Sequence, residues 1–221
     1  MGALAVCAAW APFATVNQLA ALAALGLVVF GYTAFQLAIA HGALPTGLPN
    51  APTADVKRIR QEHRLLSRSW LEFTISAATP NHPQSSPAPS AADAPRTYWL
   101  PVHFDPALLS LTESGVTLAG RAIQLGEVRL YPSGRARTTE PPGRLIDNPS
   151  RPDPESATLA VTSTRVTRRL LLDAQSAVAA PFAALLWVYI DGGGLPAFAG
   201  AFCVAFAAAV WLAAIRGSDP S

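Results

Sequence analysis

The sequence is short of charge, and the shortage is local. From Met1 to Ala54 there is no Lys, Arg, Asp or Glu, and from Ala174 to Ala214 there is one, Asp191. Charged residues make up 14% of the chain, against about 25% in ordinary soluble domains. Lysine is nearly missing: Lys57 stands against fifteen arginines, and fifteen of the sixteen basic residues lie between positions 57 and 169. Two uncharged ends around a charged middle form a membrane pattern. A net charge of +2 is too small for a nucleic-acid partner. There are two cysteines, Cys7 and Cys203, both in apolar runs. They read as small packing residues, not as a disulfide or a metal site.

Catalytic signatures are missing too. The chain has no P-loop, no GxGxxG after a strand, no HExxH, no CxxC and no GxSxG. His103 and Asp105 lie two apart on a strand entering a turn, but no nucleophile or metal partner accompanies them. His41 and His82 fall at a span end and in a linker. The reading is therefore non-enzymatic, with no cofactor and no metal.

What is present is apolar length. Leu19 to Ala40 is twenty-two residues without a charge, and about 20 helical residues cross a bilayer core of ~30 Å. Lipid offers the backbone no hydrogen-bond partner, so such a segment is helical. Met1 to Ala14 is apolar but short, and either extends this helix or lies at the interface. It lacks the positive n-region of a cleavable signal peptide, which favours an uncleaved anchor. Further on, 174–190 and 195–214 are apolar on either side of Asp191-Gly-Gly-Gly194. As one helix they would be about 60 Å long at ~1.5 Å per residue, longer than any bilayer is thick. Glycine-rich turn chemistry makes them two spans, with Trp187 and Tyr189 in the interfacial belt. Asp191 reads as a solvated turn residue. The rival reading has one final span, with 174–190 re-entrant.

The last span carries an internal pattern. Ala197, Ala201, Ala205 and Ala209 recur every four residues, and Phe198, Phe202 and Phe206 form the adjacent ridge. Small residues at this spacing let helix backbones approach. The pattern is a candidate packing seam, against the other spans or against another membrane protein.

The middle holds the polar chemistry. In residues 53–70, Val56, Ile59, His63, Leu66 and Trp70 alternate in steps of three and four, which predicts an amphipathic helix with Thr53 as its cap. Lys57, Arg58, Arg60, Arg64 and Arg68 fill its other side. They are candidate contacts to an anionic lipid surface, or else solvated arginines of a helix packed on the following domain. Residues 71–163 then read as a small, mainly-β domain: a strand at 71–77, a Pro/Ser/Ala-rich flexible linker at 79–95, and alternation through Leu100, Val102 and Phe104. A helical turn opens at Asp105-Pro106, and short strands follow, continuing past Tyr131-Pro-Ser-Gly134, with a hairpin or bulge at Gly126. Residues 141–156 read as irregular, and 157–163 as a last strand. Arg135, Arg137, Arg144 and Arg151 read as solvated loop residues.

The expected fold is thus an α-helical anchor of three transmembrane helices, with a small mainly-β domain inserted between helix 1 and helix 2. The units are 1–42, 53–70, 71–163, 174–190, 195–214 and a tail at 215–221. Basic residues near span ends prefer the cytoplasm. Lys57, Arg58, Arg60, Arg165, Arg168, Arg169 and Arg216 all fall on one side, which predicts residues 43–173 to be cytoplasmic in a multi-pass protein of the plasma membrane. An extracytoplasmic middle is the alternative. The early span, the Pro-rich Arg-over-Lys middle and the closing LLWVYIDGGGLPAF resemble small multi-pass membrane proteins of unknown function in actinobacteria. The resemblance implies a bacterial plasma-membrane setting and carries no functional motif. The expected function is an accessory or scaffold role, with lipid and another membrane protein as partners. The alternatives are a lipid-surface sensor, or a subunit acting on lipid-linked substrates.

Overall fold

The computed structural model describes residues 2–49, 54–63, 66–75, 96–111, 114–116, 118–119, 122–125, 128–148 and 155–221. The linker at 79–95, Arg64, Gly126 and Arg151 lie outside these. Helix α1, Gly2–Trp10, runs into a 3-10 turn at Ala11–Phe13. Helix α2, Val16–Ala40, follows. The N-terminal apolar stretch is thus a separate helix and not an extension of α2. The break has a local cause: Thr15 and Gln18 form a capping box, each side chain binding the other's backbone N–H, which starts a new helix. Helix α1 folds back, and Leu4 reaches α2 at Gly26.

The β unit comes next. Strands β1 (Ala54–His63), β2 (Leu66–Ile75) and β3 (Arg96–Val102) form an antiparallel meander. Strands β4 (Ser114–Val116) and β8 (Arg144–Asp147) share the outer edge of β1, one after the other along its length. Strands β5 (Leu118–Ala119), β6 (Ala122–Leu125) and β7 (Val128–Leu130) make a second small antiparallel sheet. The predicted turn after Asp105 is a 3-10 helix at Pro106–Ser110.

Three expectations fail here. Residues 53–70 are not an amphipathic helix: 54–63 and 66–75 are paired strands. The three-four spacing of Val56, Ile59 and Trp70 mixed two faces of a sheet. Val56 is 1% exposed and Ile59 is 2% exposed, yet they point to opposite faces. Residues 157–163 are not a strand but part of helix α3, Ser156–Ser163. Its β-branched threonines fit a helix because their hydroxyls bond back to the preceding turn, Thr158 to Glu155 and Thr162 to Thr158. The stretch read as irregular also supplies β8.

The chain then enters α4 (Val166–Gln175), a 3-10 turn at Ser176–Ala179, and α5 (Ala180–Asp191). Pro181, in the first turn of α5, has no N–H to continue the ladder, so the helix resets at the 3-10 turn. Gly192, Gly193 and Gly194 all have positive φ and turn the chain into α6, Gly194–Ile215. Among the described residues, three helical stretches, Val16–Ala40, Val166–Asp191 and Gly194–Ile215, are long and apolar enough to cross a membrane.

The core of the β unit is one sheet face: Val56, Leu71, Phe73, Leu100 and Val102, closed by Leu108, Leu111 and Leu130. The other face buries Ile59, Trp70 and Trp99. The long helices differ from both, because their large apolar side chains point outward. Leu27, Phe30, Leu185, Ile190 and Leu195 are all exposed.

Candidate functional site

The first arrangement with built chemistry lies where the β unit meets the helices. Strand alternation carries the core face from Val56 to Arg58 and Arg60, so two arginines continue the line of a hydrophobic stripe. Arg58 is 3% exposed. Its guanidinium needs partners at that depth, and the C-terminal tail supplies them. Beyond Ile215 the chain turns at Gly217, with φ 76°, and runs antiparallel to the first residues of β2. Asp219 N–H donates to the Ser67 carbonyl, and Ser218 bridges to Arg68. The β1 side of β2 is already paired there, and β3 ends opposite Ser69. The tail therefore takes the place that β3 vacates.

Asp219, 1% exposed, accepts from Arg58 Nη2 at 2.7 Å and from Ser69 Oγ at 2.6 Å on one oxygen. Its other oxygen accepts from Ser221 N–H at 2.9 Å and Ser221 Oγ at 2.7 Å. Burial alone would raise this carboxyl, but Arg58, Ser69 and Ser221 more than offset it and hold it below the usual carboxylate range. Arg58 Nη1 also donates to Asn148 Oδ1 at 2.8 Å. Asn148 Nδ2 donates to the Leu108 and Leu111 carbonyls at 2.7 and 3.0 Å. One arginine thus ties β1, the 106–111 segment, the residue after β8 and the tail.

The helices join the same junction. Ser218 Oγ donates to Asp173 Oδ1 on α4 at 2.6 Å. Arg58 and Arg169 both lie over the Phe104 ring, at 5.8 and 5.9 Å from its centre. Arg135 lies over Phe35 of α2 at 5.6 Å, and His41 meets Tyr131 edge-on. The β unit is held at the C-terminal ends of α2 and α6 and on α4, not hung on a linker.

The residues singled out from sequence divide between this junction and the helices. Lys57 pairs with Asp147 on β8 at 2.6 Å, at the surface. Arg60 bonds Glu62 and the main-chain oxygen of Ser221. Arg68 is half-buried, and burial, with Arg216 and Arg137 nearby, lowers its pKa. None of these lies on a helix face. Asp105 spends Oδ1 on the Ala107 N–H as a helix cap, and burial pushes the His103 imidazole below its ordinary range. Of the dispersed arginines, Arg137 exchanges main-chain bonds with Trp99 and lies over Trp70. Asp219 and Asn148 were missed from sequence; each stands before a proline and belongs to no motif.

On α6, Phe198 stacks on Phe202 with ring centres 6.2 Å apart, and Phe206 follows with its ring tilted, 6.0 Å from that of Phe202. The alanine row is not closed by a helix along its whole length. Ala209 lies where the row meets the 3-10 turn, its carbonyl 3.0 Å from Ser176 Oγ. Ala197, Ala201 and Ala205 instead line an open apolar groove of about 640 Å³ between the α1–α2 pair and the α5–α6 hairpin. Trp10 packs over Gly200, where an added Cβ would stand 3.4 Å from the ring carbons. At the groove's end, Gln18 Nε2 donates to Asp191 Oδ2 at 2.7 Å, so Thr15, Gln18 and the glycine loop stand together.

Among the described residues, no group of three His, Cys, Asp or Glu could hold a metal ion. Cys7 and Cys203 are free. The class the fold defines is a small β unit clamped to three long apolar helices. No protein-family model, curated protein or solved structure matches the chain.

Proposed function

We propose that this chain is an integral, multi-pass protein of the plasma membrane, and that its β unit is a fixed platform that binds a partner protein at the membrane surface. The outward-facing Leu, Phe, Ile and Val side chains of α2, α5 and α6 support the first half. In water such a surface associates or aggregates; in lipid it is solvated. The clamped tail carries the second half. A domain that only needed tethering would be served by a flexible linker. Here α6 sends its last residues back into the sheet, where Asp219 meets Arg58, and this fixes the domain's orientation to the helices. With Arg165, Arg168, Arg169 and Arg216 at the same end as the β unit, that end faces the cytoplasm. The role is that of an accessory or scaffold subunit and not of an enzyme.

Alkaline washing of membranes tests the first half: the chain stays in the pellet if it is integral and leaves it if it is peripheral. Cross-linking in cells tests the second. A stoichiometric cross-linked species from the wild type, lost from an Asp219→Ala variant that still pellets, supports the platform. A wild type that cross-links to nothing, or a partner bound equally well with the tail released, contradicts it.

A further inference from the structure

We propose that the groove between the α1–α2 pair and the α5–α6 hairpin is a lipid site. It holds one acyl chain of a phospholipid whose headgroup carries an ammonium, such as phosphatidylethanolamine. This rests on the membrane reading above and goes beyond it.

Three observations select this occupant. The first is size: about 640 Å³ lies within the ~300–1,000 Å³ of small-molecule pockets. Small residues, Ala197, Gly200, Ala201 and Ala205, leave the space on α6, and Trp10 and Trp187 wall it. The second is depth. On α2 the lining runs from Thr15 to Leu25, about 15 Å at ~1.5 Å per residue, and on α6 from Gly193 to Ala208, about 22 Å. Both start at the Asp191 end, so the groove runs lengthwise from one face of a ~30 Å hydrocarbon core towards its middle and beyond. That long, narrow apolar course suits a single acyl chain entering from the Thr15 end. The third is charge. At that end the exposed group is the Asp191 carboxylate, held beside Gln18, and neither 2–49 nor 174–215 contains a Lys or Arg. An anionic headgroup would meet a carboxylate and no cation. An ammonium donates hydrogen bonds to that carboxylate, and the Trp187 ring near the mouth suits a cation as well.

The test uses the full chain reconstituted into bilayer discs of phosphatidylethanolamine mixed with phosphatidylglycerol, then released for native mass spectrometry. The wild type should retain one phosphatidylethanolamine several-fold over phosphatidylglycerol. Ala201→Leu/Ala205→Leu, which fills the groove, should lose the retained lipid. Asp191→Asn, an exposed change that leaves the groove intact, should keep a lipid but lose the headgroup preference. Retention indifferent to headgroup in the wild type overturns the proposal. So does retention unchanged in the filled variant, and so does a dimer in which a second copy replaces the lipid. A chain that never enters the discs overturns the membrane reading instead, so the two failures are distinct.

Discussion

Replacing Asp219 with alanine should cost the protein far more than its place two residues from the last suggests. The carboxylate is 1% exposed and Arg58 is 3% exposed, so the truncation leaves a buried guanidinium without its counter-charge. Breaking one side of a buried ion pair typically costs about 3–5 kcal/mol. That is a large share of the ~5–15 kcal/mol that holds an ordinary domain together. The loss is shared, because Ser69 Oγ and the Ser221 N–H lose their acceptor in the same step. The internal control is the Lys57–Asp147 pair, whose side chains are 33% and 53% exposed. Asp147→Ala should cost about 0–1 kcal/mol, as exposed pairs do. The assay is chemical unfolding in mild detergent followed by tryptophan fluorescence, since Trp70 and Trp99 both report on the sheet. A double-mutant cycle with Arg58→Met isolates the pair: removing both charges should recover most of the loss. If Asp219→Ala costs no more than Asp147→Ala, or if the double variant is as unstable as the single, the tail is not a clamp and the argument from burial is wrong.

Acidification should weaken the fold in two separate ranges. His103 has a depressed pKa, so the native state takes up a proton less readily than the unfolded chain. Its contribution is full above about 6.5 and is lost as pH falls from there through the lower native value. Asp219 also lies below its ordinary value, so its contribution persists down to about 4 and is lost beneath it. Unfolding midpoints of His103→Gln and Asp219→Asn across the pH range check this, each flattening its own range and not the other's. Gly217→Ala should cost about 1–2 kcal/mol, because its φ of 76° suits glycine and a Cβ would stand 3.1 Å from His103 Nδ1 and Ser133. A stable Gly217→Ala protein in thermal unfolding would mean that the tail does not turn there. Asn148→Ala removes the link from Arg58 to the Leu108 and Leu111 carbonyls and should destabilise by about 1–3 kcal/mol. The same unfolding assay reads it, and no change would show the link to be idle.

The long apolar helices were legible because their signal is an absence of charge sustained over twenty residues, which no local detail overrides. The Asp191 turn was legible for the same kind of reason: three consecutive glycines admit little else. The 53–70 segment was misread because its sheet buries both faces. Val56 and Arg58 face one way and Ile59 and Gln61 the other, and all four are buried, so no alternation of apolar and polar marks a strand. What remained visible, Val56, Ile59 and Trp70, fitted a helical spacing by coincidence. The lipid-facing role of Lys57, Arg58 and Arg60 rested on that helix. The clamp was illegible for a plainer reason: Arg58 and Asp219 are 161 positions apart, and nothing local in GSDPS distinguishes a buried aspartate from a solvated one. The alanine row on α6 was visible, but its spacing alone does not tell a seam from the floor of a groove.

The central claim is that the β unit and the Asp191 turn lie on opposite sides of a bilayer, with α2, α5 and α6 between them. Single cysteines at Asn17 and Thr139, in a chain with Cys7 and Cys203 replaced by alanine, test it with a membrane-impermeant maleimide. In intact cells Asn17→Cys should react and Thr139→Cys should not, and in inverted membrane vesicles the pattern should reverse. Labelling of both positions from the same side would contradict the account.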